Sequence, residues 1–258
     1  MDKQYRLSII TVNLNNLEGL KSTLKSVFEQ TWQDFEYIIV DGSSTDGSKE
    51  YLDANSDKMD YWISEPDTGI YNAMNKGAKI ASGDYLLFLN SGDYFIDRTV
   101  LDSAQKYLGD EEIIYFNTEV VEKDDKYIKW TPEILSYNFL KSDSLPHQGT
   151  FIKKSAFQLL GGYDETYRII SDWKFTAVGV LKYGFTTKKA NLLLSRFFKD
   201  GISSKERTLL HSERKLILSK EFREYPEIEE LRMFRKNILR SKSIKFLRKL
   251  GFLRWIKK

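Results

Sequence analysis

Cysteine is absent from all 258 residues, which removes disulfide frameworks, thiolate zinc sites and cysteine nucleophiles together. The absence leaves the redox compartment open, and a reducing cytosol is compatible with it. Proline is scarce, at four residues, and no tract is of low complexity, so long linkers are not expected. No stretch approaches the roughly 18 uncharged apolar residues of a membrane-spanning helix. The apolar run at 7–12 is far shorter and lacks a small-residue cleavage site after it, so neither a signal peptide nor a transmembrane helix is read.

What is present is enough for a globular core. Hydrophobic residues make up 41% and aromatics 14%, which excludes intrinsic disorder as an overall description. The length suits one α/β domain with an appendage. Charge is segregated: residues 231–258 hold 11 Lys/Arg and no Asp/Glu, although the whole chain carries only +3. Over 1–230 this leaves 29 basic against 37 acidic residues, a balance of −8.

The first half alternates in period. Residues 7–12 form a continuous β-branched run, as a strand buried on both faces does. Residues 17–30 place apolar side chains at helical spacing. A second strand at 35–40 ends in Asp41-Gly42, a short helix follows from Ser48, and a strand lies near 61–63. Then come a helix at 71–81 and a strand at 85–89. Repeated β-α units predict a mainly parallel sheet covered by helices. The second half is less regular: a hairpin of strands at 113–121 and 127–130, a strand at 147–152, helices at 155–160, 171–183 and 203–222, and a strand at 192–198.

Ligands of such sheets sit beyond the carboxyl ends of the strands. Those ends carry Thr11 and Asn13, Asp41, Glu65 and Asp67, and Asn90 and Asp93. Polar turn formers are ordinary in loops, but four polar ends converging on one edge suggest a site. Asp93 has the chemistry of a ligand for Mg2+ or Mn2+, hard cations that keep waters and borrow phosphate oxygens. Gly92 before it permits close backbone approach. The competing assignment is a turn whose Asp caps the next helix.

Four segments carry a resemblance in order and spacing: 9–15 (IITVNLN), 39–48 (IVDGSSTDGS), 64–77 (SEPDTGIYNAMNKG) and 81–93 (ASGDYLLFLNSGD). Over the first hundred residues or so the chain resembles family 2 glycosyltransferases. The resemblance implies a GT-A fold: a nucleotide-binding sheet flanked by helices, here with a C-terminal helical basic extension. It also implies inverting transfer from a nucleotide-diphospho-sugar, commonly UDP-linked, with Mn2+ or Mg2+ as cofactor. Carried over by residue, Thr11 and Asn13 lie beside the nucleoside, Asp41 bonds the base, and Asp67 lies near the ribose or base. Asn90 and Asp93 occupy the metal-binding Asp-x-Asp segment, with Asn90 replacing its first acid and Asp93 left as the charged ligand. The family's Ala-Arg-Asn-x-Gly reads AMNKG at 73–77, so Lys76 stands near a missing arginine, either compensating for it or as a surface lysine.

Farther on, 161–165 (GGYDE) and 170–174 (ISDWK) resemble the stretch that leads into the family's catalytic acid. That maps the general base to Asp172, whose place in a helix's first turn favours its ionised form. Asp164 is the alternative base, and capping by Ser171 and Asp172 the structural alternative. His147 and Gln148 are implied near the donor phosphates or acceptor. His211 is read as structural, and 199–204 as a flap.

The expected division is a glycosyltransferase domain over 1–222, with a nucleotide-sugar half at 1–95 and an acceptor half at 96–222, and a basic amphipathic tail over 223–258. Eleven uncompensated cations among Leu, Phe, Ile and Trp255 suit an anionic membrane surface. The expected partners are thus a nucleotide-sugar donor, a glycan or lipid-linked acceptor and the inner membrane face, with no nucleic acid. A sugar-nucleotide-binding module that lost its chemistry is the rival reading. A nucleotidyltransferase is a third, disfavoured because no Gly-rich, Arg/Lys-bearing loop lies near the N-terminus.

Overall fold

The structure is a computed structural model and describes residues 6–123, 125–199, 201 and 205–228. They form a nine-stranded sheet ordered β3-β2-β1-β4-β8-β6-β9-β5, with β7 paired to β6. The strands are β1 (Leu7–Asn13), β2 (Glu36–Asp41), β3 (Tyr61–Ser64), β4 (Tyr85–Phe88), β5 (Tyr94–Phe95), β6 (Ile113–Glu122), β7 (Asp125–Lys129), β8 (Thr150–Lys153) and β9 (Thr187–Phe198).

β3, β2, β1 and β4 are mutually parallel. β8 runs against both β4 and β6, which restores the common direction in β6 and β9. β5 and β7 run the other way. The first half is thus the parallel sheet that its alternation predicts, and antiparallel strands are interleaved in the second.

Every residue of β1, β2 and β4 is buried, the consequence of helices on both faces. α1 (Leu17–Phe28) buries Leu20, Thr23, Leu24 and Val27, one stripe of a 3.6-residue period. Its first turn is closed by Asn16, whose side chain accepts from Gly19 N at 3.2 Å. α2 (Ser48–Asp53) follows β2, and α3 (Ile70–Ile80) buries Tyr71, Ala73, Met74, Gly77 and Ala78 against β1 and β2. The remaining helices are α4 (Val100–Ala104), α5 (Tyr137–Leu140), α6 (Lys154–Leu159), α7 (Ser171–Leu181) and α8 (Arg207–Glu221).

Two readings change. Residues 147–149, expected to open a strand, form a 3-10 turn, and β8 begins at Thr150. Pro146 has no N–H to give a ladder, and its carbonyl accepts from Gly149 N at 3.0 Å and Thr150 Oγ1 at 2.8 Å. β9 begins at Thr187, well before the expected 192, because Lys188 and Lys189 pair with β6 as its strand neighbours.

The chain divides into two compact units between Arg214 and Lys215. The basic tail expected over 223–258 lies, from 229 onward, outside the described residues, as does most of the flap expected over 199–204. Among the described residues no helix is long and apolar enough to cross a membrane.

A buried carboxylate holds the start of the parallel sheet. Glu36 accepts from Ser8 Oγ at 2.5 Å, Ser82 N at 2.7 Å and Ser82 Oγ at 3.0 Å, while Gly83 N donates to Ser8 Oγ at 2.9 Å. A Cβ on Gly83 would stand 2.7 Å from Ser8 N and 2.8 Å from Leu7 C, both backbone of a central strand. Gly83→Ala is therefore expected to destabilise the fold by about 1–3 kcal/mol, an overpacking cost. A thermal melt should show it as a drop of several degrees; an unchanged melting temperature would mean that the strand can move aside.

Candidate functional site

The carboxyl ends of β1, β2 and β3 stand side by side: Asn13 is opposite Asp41, and Asp41 opposite Ser64. Asp41 is wholly buried, and both of its oxygens are used twice. Oδ1 accepts from Asn13 Nδ2 at 2.8 Å and Ser44 Oγ at 2.6 Å; Oδ2 accepts from Ser44 N at 2.9 Å and Ser64 Oγ at 2.7 Å. A carboxylate offers about four lone-pair positions, and these four protein donors take them up. Asp41 thus ties the ends of β1, β2 and β3 to the turn at Ser44.

Asn13 gives its amide N–H to Asp41, and its Oδ1 is buried without a partner. Thr11 is also wholly buried. Its hydroxyl lies 2.8 Å from Leu89 O and 3.0 Å from Tyr37 OH, tying β1 to β4 and β2 below the edge rather than lining it. Asp67 is half-buried. It accepts from Gly69 N at 2.9 Å, and its Oδ2 lies 2.5 Å from where a Cβ on Gly42 would stand. The Asp67 carboxylate therefore crosses the Gly42 backbone, beside Asp41, in space that only glycine leaves open. Lys76 is occupied by Glu65 Oε1 at 2.7 Å and Pro66 O at 2.8 Å, so it braces the loop before Asp67.

After β4 the chain turns sharply. Gly92 has φ of +99°, a conformation that glycine adopts without penalty. Thr23 of α1 fixes this turn: its Oγ1 accepts from Gly92 N at 2.9 Å and lies 2.7 Å from Asp93 O. Asn16 donates to Ser91 O at 3.1 Å. Asp93 leads into β5 rather than a helix, so it is not the helix cap that the sequence left as an alternative.

The second half brings two groups to this corner. Asp172 stands in the first turn of α7, which begins after Ile170 with no side-chain cap from that residue. Asp172 Oδ1 lies 2.9 Å from Tyr71 OH, and Oδ2 lies 3.4 Å from His147 Nδ1. The other imidazole nitrogen, Nε2, is 3.0 Å from Asn90 Nδ2 and 3.9 Å from Asp93 Oδ2. His147 thus bridges the ends of β4 and α7, with side chains about one-fifth exposed.

Burial opposes ionisation of Asp172. The hydrogen bond and charge of His147, with the Tyr71 hydroxyl and the Trp173 N–H, outweigh it and hold the carboxyl below its ordinary range. Burial likewise opposes a charged His147, but Asp172 and the charge of Asp93 raise it above its ordinary value. An imidazolium donates from both nitrogens. Asn90 Oδ1 is buried and unpartnered, and turning that carboxamide over would present it to Nε2. The charged histidine and the orphaned oxygen answer each other.

Asp164 lies elsewhere, paired with Lys174 Nζ at 2.5 Å and accepting from Thr166 Oγ1 at 2.6 Å. Lys174 and Thr166 occupy the group proposed as alternative base. Gln148 is buried behind His147; its backbone carbonyl accepts from Ser195 Oγ at 2.7 Å, and its Oε1 is unpartnered. The neighbouring Glu165 accepts from Asn72 at 2.9 Å and Asn75 at 2.8 Å, fastening the loop before α7 to α3.

Sequence reasoning missed Tyr71, Ser44 and Ser64. In the sequence Tyr71 only opens the helix expected at 71–81, and both serines only lie within the segments that carry the resemblance. A buried Tyr needs a hydrogen-bond partner for its hydroxyl, and that was the available signal.

For a divalent cation the donor set is sparse. Among the described residues no three His, Asp or Glu converge as a metal site. Asp93 is one hard oxygen donor at the sheet edge, which fits a Mg2+ or Mn2+ whose other ligands are waters and phosphate oxygens.

The sequence profile of Glycosyl transferase family 2 matches residues 8–170. An uncharacterised glycosyltransferase of Mycobacterium tuberculosis is 36% identical over 174 residues, 66% of this chain and 66% of that protein. A PGL/p-HBAD biosynthesis glycosyltransferase of Mycobacterium bovis is 29% identical over 174 residues, 65% of this chain and 67% of that one. The match thus spans about two thirds of the length of these relatives. In fold, the chain resembles S. aureus TarS in complex with UDP-GlcNAc, with a TM-score of 0.64 at 17% identity, covering 78% of this chain and 61% of TarS 1–349. A mannosyltransferase of Pyrobaculum calidifontis, in complex with GDP-Man and Mn2+, gives 0.57 at 18% identity over 75% of this chain and 56% of its own. The mixed sheet with flanking helices is the GT-A fold, and the chain belongs to glycosyl transferase family 2.

Proposed function

We propose that this chain is an inverting glycosyltransferase that moves a sugar from a UDP-linked donor to a hydroxyl of a glycan or lipid-linked acceptor, in assembly of a surface polysaccharide or glycolipid. The observation that carries the reading is the bridge from Asp93 through His147 to Asp172. In this reading Asp93 marks the leaving-group end and Asp172 the proton-accepting end, one on each side of the His147 imidazole. The donor class is supported by UDP-GlcNAc in TarS, and the glycolipid acceptor by the relative named for PGL/p-HBAD biosynthesis.

In this reading Asn13 and Asp67 flank the nucleoside, with Asp41 behind them. Asp93, beside Asn90, holds Mn2+ or Mg2+, which supplies charge neutralisation at the diphosphate. Asp172 takes the proton of the acceptor hydroxyl. His147 holds Asp172 in its ionised form. The transfer domain is 1–222, with its donor half at 1–95, and the segment 223–258 brings the enzyme from the cytoplasm to the anionic inner membrane face.

The test is release of nucleoside diphosphate from UDP-glucose, UDP-galactose, UDP-GlcNAc and GDP-mannose by the full chain, with Mn2+, with Mg2+ and with EDTA. Release that needs a cation and falls about 100-fold or more in Asp93→Ala is expected, the scale of losing one preorganised charge contact. Tight binding without turnover of any donor would favour the binding-module reading. Release indifferent to EDTA and to Asp93→Ala would sink the metal assignment.

A further inference from the structure

Tyr71 is one of the buried groups to which the proposed chemistry gives no part. It stands in the first turn of α3, on the donor half of the sheet, while both acceptors of its hydroxyl belong to the segment that opens α7. The hydroxyl lies 2.6 Å from Ile169 O and 2.9 Å from Asp172 Oδ1. Its ring packs edge-on against Tyr163, with centroids 5.4 Å apart. Burial, and then the charge of Asp172, push its pKa well above the ordinary value, so the phenol keeps its proton across the working range.

One O–H makes one near-linear bond at a time, and sharing it between two acceptors weakens both. While Asp172 is ionised, the charged oxygen is the stronger acceptor, and the Ile169 carbonyl then faces a phenol oxygen with no hydrogen between them. Once Oδ1 carries a proton, both short contacts are satisfied: Oδ1–H donates to the Tyr71 oxygen, and the Tyr71 hydroxyl donates to Ile169 O. We infer that Tyr71 is a positioning residue whose hydroxyl rotates between the Asp172 carboxylate and the Ile169 carbonyl, keeping Asp172 hydrogen-bonded and in one orientation in both protonation states.

The inference rests on Asp172 as the base for its catalytic consequence alone. In the transfer step the acceptor's O–H bond breaks and Oδ1–H forms. The electron pair left on the acceptor oxygen makes the bond to the anomeric carbon as the bond to diphosphate breaks. The Tyr71 O–H bond stays intact and only turns.

Among the described residues, the other ionisable groups facing Asp172 are His147, Tyr163 and Arg214. His147, from the 3-10 turn before β8, lies 3.4 Å from Oδ2 with Asp93 beyond it. Tyr163 comes from the loop before α7, and its pKa is raised by burial and then by the charge of Asp172. Arg214 of α8 packs on the Trp173 ring at 5.0 Å, and its pKa is lowered by burial against the opposing charges of Asp143 and Asp172. Tyr71→Phe leaves these groups in place, keeps the ring on Tyr163 and removes the hydroxyl alone.

The direct measurement is a carbon-13 NMR titration of the Asp172 carboxyl in the full chain, its signal assigned by its loss in Asp172→Asn. Tyr71→Phe should move the midpoint up by about one pH unit, the weight of one hydrogen bond to a charge. On a turned-over donor from the panel, kcat should fall about tenfold with KM for the donor unchanged. In an Asp172→Asn background, Tyr71→Phe should cost nothing further, because it acts through Asp172. An unmoved midpoint, or an equal loss in both backgrounds, overturns the inference. If Tyr71→Phe does not fold, 3,5-difluorotyrosine at 71 is a stronger donor of the same shape and should lower the midpoint; no shift overturns the inference equally. The base reading fails separately, if Asp172→Asn keeps wild-type turnover while the shift at Tyr71→Phe persists.

Discussion

Asp172→Asn is expected to lower kcat by about 10²- to 10⁴-fold, the range of a positioned general base, with the fold intact and the donor still bound. The amide keeps the shape of the side chain at the start of α7, so the loss falls on proton transfer. The pH dependence follows from what surrounds the carboxyl. His147, Tyr71 and the Trp173 N–H hold it below its ordinary range despite burial, so turnover should stay level through neutral pH and fall only as acid protonates Asp172. The same sign governs stability. A carboxyl whose folded value lies below its unfolded one stabilises the fold above the unfolded value, about 3.9, and loses that contribution as pH falls through the folded value. Turnover measured from acid to neutral pH in wild type and Asp172→Asn tests both statements. An amide variant with wild-type rates would remove Asp172 from the chemistry.

The depth to which the sequence could be read followed the kind of signal each residue carries. The parallel half was legible because β1, β2 and β4 are buried on both faces and leave continuous apolar runs, while α1 and α3 leave a period of 3.6. Their order placed Asn13 and Asp41 at one edge. The second half was harder, since β8 and β5 are four and two residues long, and β9 opens on lysines whose charge reads as loop. Pairing partners far apart in sequence decide those strands, and no local pattern reports them.

The site divides in the same way. Asp93 and Asp172 were legible as acids at element ends. Their meeting through His147 was not, because it needs the β4 end, a 3-10 turn and the α7 start to converge. Residue type also says nothing of how many partners a group has spent. Asp164 and Asp172 are both aspartates near the start of α7, and only the contacts separate them. One is committed to Lys174 and Thr166; the other faces a histidine and a phenol.

Asp41 gives the second large effect, and it should appear in stability as well as in binding. Removing the carboxylate in Asp41→Ala leaves four donor contacts without their acceptor: Asn13 Nδ2, Ser44 N, Ser44 Oγ and Ser64 Oγ. A buried donor left unpaired costs about 1–3 kcal/mol, and water entering the vacated space recovers part of that. A net loss of about 3–5 kcal/mol is expected, the scale of breaking a buried polar network, or roughly 6–20 °C in melting temperature for a chain of this size. Asp41→Asn should fall between this and wild type, because its amide nitrogen meets two donors whichever way it turns. Ser64→Ala removes one donor and leaves the other three contacts in place, so its cost should be only about 0.5–1.5 kcal/mol. Affinity for UDP should fall in the same order, since the Asn13 carboxamide is oriented by the bond to Asp41. Thermal melts and UDP titrations on the three variants decide between two roles for this residue. If Asp41→Asn melts like wild type and loses only UDP affinity, Asp41 meets the base itself; parallel losses in both measurements identify it as the anchor of the strand ends that do.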